Sequence, residues 1–119
     1  MQACLVGNVA GVRQLLADGI EVNERNADGN TAVWLACYSD SVEIIGLLAA
    51  HGADLDNRNP EGATALIYAA SAGKANVVRC LLALGADSSI ETRDGFSAMD
   101  LAASLHVVRL FRNALKEQA

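Results

Sequence analysis

Two kinds of apolar segment alternate along this chain. One is short and rich in small residues: Ala32-Val33 to Ala36-Cys37, Ala65-Leu66 to Ala69-Ala70, and Ala98-Met99 to Ala102-Ala103. The other carries paired larger residues, Ile44-Ile45 with Leu47-Leu48 and Val77-Val78 with Leu81-Leu82. Apolar positions three and four apart share one face of a helix, so each segment predicts an amphipathic helix. Polar breaks separate the two kinds at Gly7-Asn8, Asp40-Ser41 and Gly73-Lys74. Thr31, Thr64 and Ser97 stand just ahead of the small-residue helices, where a hydroxyl serves as an N-cap. Gly52 and Gly85 follow the second helices as C-terminal caps. The pairs Asp28-Gly29, Glu61-Gly62 and Asp94-Gly95 then turn the chain, the glycine accepting a positive φ. The predicted order is turn, helix, turn, helix, and a loop to the next turn.

These signals recur with a fixed period. Gly19, Gly52 and Gly85 are spaced by 33 residues, as are Gly29, Gly62 and Gly95, and no insertion or deletion interrupts the register. A period of this size marks stacked repeats, each burying its apolar face against its neighbour. The chain of 119 residues reads as one domain with a partial first unit at 1–26, complete units at 27–59 and 60–92, and a capping unit at 93–119. Arg109, Arg112, Asn113, Lys116, Glu117 and Gln118 make the last helix polar enough to close the stack.

The segments GATALIYAA at 62–70 and LLALGAD at 81–87 resemble the opening and closing motifs of the ankyrin repeat, and the likeness covers essentially the whole chain. The resemblance implies an all-α solenoid of helix-turn-helix units joined by β-turn or hairpin-like loops. Ala32, Ala65 and Ala98 stand where the family has proline, and Trp34, Ile67 and Asp100 where it has histidine. That histidine ties neighbouring loops in the family, so the loops here are expected to be less firmly tied.

Composition narrows the picture further. Apolar residues make up 52% and aromatics 4%, a balance that suits close-packed helices better than a β-sandwich. A net charge of -5 repels phosphate backbones and acidic lipid, which argues against nucleic acid and membrane as partners. No apolar run approaches the ~20 residues of a membrane span, and the first residues lack the basic and apolar regions of a secretory signal. Three cysteines without a Cys-x-x-Cys pair argue against a disulfide framework and for the cytoplasm. All three are expected to be buried small apolar residues.

Chemistry-bearing motifs fail on inspection. Gly73-Lys74 lacks the earlier glycine and the hydroxyl residue of a phosphate loop, and Gly95-Phe96-Ser97 has Met99 where a nucleophile elbow needs glycine. His51 and His106 have no metal-ligand spacing to each other or to a cysteine, and read as surface or cap residues. Asp28, Glu61 and Asp94 recur one per unit, a ladder that does not converge on a metal. The chain is read as non-catalytic, without cofactor or metal, and as a monomer.

The resemblance implies a protein partner bound along the turn tips and the exposed stripe of the first helices. Its variable positions, together with the spacing of Asn30, Trp34 and Tyr38 along one helix face, designate Arg25, Asp28, Asn30, Trp34, Tyr38, Arg58, Glu61, Ser71, Glu91, Arg93 and Phe96 as the expected site. Trp34 either joins that site or fills the space of the family histidine; Phe96, on a turn tip, is expected to be exposed. A scaffold or adaptor is the first expectation. A small stand-alone inhibitor, a piece of a larger ankyrin protein with catalysis elsewhere, and an array hydroxylated at Asn23 are the others.

Overall fold

The computed structural model describes residues 2–118. Among them run seven helices and no strands: α1 (Gln2–Leu5), α2 (Val9–Ala17), α3 (Ala32–Tyr38), α4 (Val42–Ala50), α5 (Ala65–Ser71), α6 (Ala75–Ala83) and α7 (Leu105–Gln118). The first six pair as helix-turn-helix units, α7 closes the last unit, and the stack measures 39 × 27 × 23 Å. The small-residue helices α3 and α5 are buried almost from end to end, with Ala36, Cys37, Ala69 and Ala70 wholly inaccessible. Only residues this small let one helix lie between two helix layers. The second helices bury one face: Ile44, Ile45 and Leu48 on α4, then Val77, Val78 and Leu81 on α6. In α7, Val107 and Phe111 close the core while Arg109, Arg112 and Asn113 face outward. The side chains of Lys116, Glu117 and Gln118 lie outside the described residues.

Short-range chemistry fixes the junctions. Each second helix ends with the amide two beyond its cap donating back around the turn: Ile20 to Leu15 at 3.3 Å, Ala53 to Leu48 at 3.0 Å, and Ala86 to Leu81 at 3.0 Å. This bond satisfies carbonyls the helix leaves free. The turn between the first and second helix is also common to the three units, with Asp40 (φ 57) taking the left-handed place that Gly7 and Gly73 hold elsewhere. A short polar side chain tolerates that region better than other non-glycine residues.

Two local expectations are corrected. Thr64 Oγ1 accepts from the Ile67 amide at 3.2 Å as a cap should, but Thr31 makes no cap bond and its hydroxyl is buried without a partner. In the last unit, the segment predicted as a helix from Ala98 is a single turn. Ser97 and Asp100 cap one another there, the Ser97 amide donating to Asp100 Oδ2 at 2.9 Å and the Asp100 amide to Ser97 Oγ at 3.3 Å. The turn is not continued as a helix: the Ala102 amide donates to the Met99 carbonyl at 3.2 Å and the Ala103 amide to the Ala70 carbonyl of the preceding unit at 3.0 Å.

Candidate partner-binding face

Three loops line one edge of the stack, and each is a hairpin-like turn closed by the same main-chain bond. The Asn26 amide donates to the Asn30 carbonyl at 2.9 Å, Asn59 to Ala63 at 2.9 Å, and Thr92 to Phe96 at 2.9 Å. Asn26 Oδ1 accepts from the Asp28 and Asn30 amides, each at 3.0 Å, and Asn59 Oδ1 does the same for Glu61 and Ala63. Such side-chain caps hold a turn without a neighbouring strand. Asp28, Glu61 and Asp94 project from the tips, all exposed.

Arginine side chains tie the loops to one another where the family histidine is missing. Arg25 donates from Nη1 to the Gly29 carbonyl at 3.1 Å and to the Arg58 carbonyl at 2.6 Å, and from Nη2 to Asn57 Oδ1 at 2.6 Å. One unit on, Arg58 repeats the arrangement, Nε to the Gly62 carbonyl at 3.0 Å and Nη2 to the Glu91 carbonyl at 2.7 Å. A planar fork of donors suits this bridging as a lysine does not. A second ladder runs beside it: Asn23 Nδ2 donates to the Gly52 carbonyl at 3.3 Å, and the Asp54 amide to Asn23 Oδ1 at 2.7 Å. Asp56 Oδ1 then accepts from the Asp87 amide at 2.9 Å. Arg25 and Arg58 therefore act first as struts between loops.

An aromatic cluster occupies the face of the first helices. Tyr38 and Tyr68 meet edge to face with ring centroids 4.8 Å apart, and Trp34 stacks at a tilt on Tyr68 at 5.2 Å and on Tyr38 at 6.4 Å. Trp34 is 6% exposed, so it belongs to the core and is not itself a contact surface. Tyr38 is 43% and Phe96 48% exposed. Burial pushes the Tyr68 phenol up, with the Lys74 ammonium pulling the other way. Lys74 is paired with Asp40 at 3.1 Å. Around this cluster Trp34 Nε1, Thr31 Oγ1 and Asn30 Oδ1 are buried without hydrogen-bond partners. Each such group is unfavourable by roughly 1–3 kcal/mol.

Of the expected site residues, Arg25, Asp28, Tyr38, Arg58, Glu61, Ser71, Glu91, Arg93 and Phe96 are exposed, Asn30 is half-buried, and Trp34 is buried. The tip residues share the loop edge. Tyr38 sits at the far end of α3, about 10 Å away at 1.5 Å per residue. Tyr68 was not among the expected residues, because the repeat register pairs it with buried Leu35; the signal was a phenol in a leucine position, whose hydroxyl needs a wet end. Leu5, 42% exposed, was also missed, although it shares the register of Tyr38 and Ser71.

The cysteines are free, and burial pushes the Cys37 thiol up to about 12. Cys80 is half-buried and not enclosed as expected, since its place on α6 borders the shallow groove beside Val42 and Arg79. His51 caps α4, its Nδ1 2.9 Å from the Leu47 carbonyl. No helix among the described residues is long and apolar enough to cross a membrane.

A family model for ankyrin repeats in three copies matches residues 1–94 and 51–116. A search of curated proteins finds no sequence match. Among solved structures, the chain is similar to the ankyrin repeat domain of Bcl-3, described as a unique member of the IkappaB protein family. The TM-score is 0.87 and the identity 27%, over 92% of this chain and 49% of that one. The chain thus spans about half the length of that domain.

Proposed function

Because the chain belongs to the ankyrin-repeat family, whose repeats are protein–protein interaction modules, we propose that it is a non-catalytic scaffold or adaptor of the cytoplasm. It binds one protein partner along the concave face formed by the loop tips and the first helices. The observation that carries this is the solvent-facing aromatic surface of Tyr38 and Phe96 on a scaffold whose loops are strapped together by Arg25 and Arg58. Aromatic side chains on a rigid support lose little entropy on binding and dominate interface energetics. The fold supplies the platform and the residues on this face supply the specificity.

Truncation tests it. Tyr38→Ala and Phe96→Ala are each expected to weaken a captured partner roughly 30-fold, taking about 2 kcal/mol for a central aromatic and 1.4 kcal/mol per tenfold. Glu43→Ala and Arg79→Ala on the opposite, second-helix side should leave affinity unchanged. The reading is wrong if the second pair abolishes binding while the first pair is silent.

A further inference from the structure

Charge is distributed unevenly in this molecule. The segments 20–30, 53–63 and 86–96 each hold three carboxylates and one arginine, so every loop carries two net negative charges. The remaining residues hold five carboxylates against six cations, close to balance. Of the three loop arginines, Arg25 and Arg58 donate to main-chain carbonyls and an amide oxygen and not to the loop carboxylates. Among the described residues the ion pairs within 4.0 Å are Arg13 with Glu43 and Lys74 with Asp40, and neither involves a loop carboxylate. Nor do the acids form a metal cage: no group of three or more potential ligands is assembled among those residues.

This acidic edge runs into the aromatic patch through α3, which starts beside the Asn26–Asn30 turn and ends at Tyr38. Lys74, the cation nearest the patch, is neutralised by Asp40. A second copy of this chain, itself at -5, is repelled from such an edge.

We infer that the concave face takes a lysine- or arginine-rich segment of a partner protein, its apolar side chains seated on the Tyr38–Tyr68 patch and its cations along the three acidic loop tips. This rests on the concave-face reading above and adds the chemistry of the partner. A field of one sign along an edge speeds encounter with the opposite charge by about 10- to 1,000-fold and weakens with salt, while the apolar contacts hold the complex.

Fluorescence anisotropy with labelled synthetic peptides tests it. The first probe alternates lysine pairs with leucine pairs; the second replaces leucine by serine; the third replaces lysine by glutamate. The lysine-leucine peptide should bind, the serine peptide at least about tenfold more weakly, and the glutamate peptide not at all. Combining Asp28→Asn, Glu61→Gln and Asp94→Asn halves the net charge of the loops. It should weaken the first probe about tenfold at ~50 mM salt and flatten its dependence on salt, with helical circular dichroism unchanged. Equal binding of the serine peptide, or no effect of the triple change, overturns the inference. A glutamate peptide that binds and is released by Tyr38→Ala also overturns it but leaves the concave-face reading standing. Binding of the lysine-leucine peptide that survives both Tyr38→Ala and Phe96→Ala refutes the concave-face reading itself.

Discussion

Gly62 and Gly95 occupy the same place in successive turns, with φ of +82° and +84°, but their surroundings differ. A β-carbon on Gly95 would meet nothing within 4 Å. On Gly62 it would lie 2.9 Å from Arg58 Nη2 and 3.0 Å from the backbone nitrogen of Arg93. The guanidinium end can swing away, though only by giving up its bond to the Glu91 carbonyl; the backbone nitrogen cannot, because it donates to the Glu61 carbonyl at 3.2 Å. Left-handed strain for alanine is about 1–2 kcal/mol, offset by about 0.4–1 kcal/mol from the stiffer unfolded chain, so Gly95→Ala should destabilise by at most about 1.5 kcal/mol. Gly62→Ala adds an overpacking term of about 1–3 kcal/mol, for a total of about 1–4.5 kcal/mol. With an unfolding entropy of about 2.1 cal/mol/K per residue, 1 kcal/mol moves the melting temperature of a chain this long by about 4 °C. Urea denaturation of both variants beside the parent, read by circular dichroism, gives the comparison directly. The slope should be unchanged and the midpoints ordered parent, Gly95→Ala, Gly62→Ala. Equal losses in the two variants would refute the argument that neighbouring loops are packed and strapped against each other at Gly62.

Leu81 is wholly buried, so Leu81→Ala should destabilise by about 2–5 kcal/mol in the same urea titration; a midpoint matching the parent would remove α6 from the core. Maleimide labelling in native buffer at pH 8 should spare Cys37, whose thiol titrates about four pH units higher at about 12 and is enclosed, and reach half-buried Cys80 first. Cys37 reacting as fast as Cys80 would mean that the face of α3 is turned.

Period, turns and the caps at Thr64 and Ser97 were legible in the sequence because they act over a few residues. A 33-residue register, a hydroxyl before a run of alanines and a glycine after a leucine pair each carry their structural reason locally. Exposure of Phe96 was legible too, since a turn tip has little to bury it. Other features depend on what the next unit brings into contact. The arginines at 25 and 58 looked like free tip cations, and only the stack places a carbonyl of the following loop 2.6–2.7 Å from each guanidinium. Trp34 stood equally well for interface or core until Tyr68 of the next unit closed over it at 5.2 Å. Tyr68 was not singled out, because the register that pairs it with Leu35 describes a backbone place and not how far a longer ring extends from it. Where a helix was expected from Ala98, only a turn forms, and the Ala103 amide finds its acceptor in the preceding unit. Local propensity decides what each segment can form, but a buried donor in a stack of this kind takes the acceptor its neighbour presents, and that choice exists only in three dimensions.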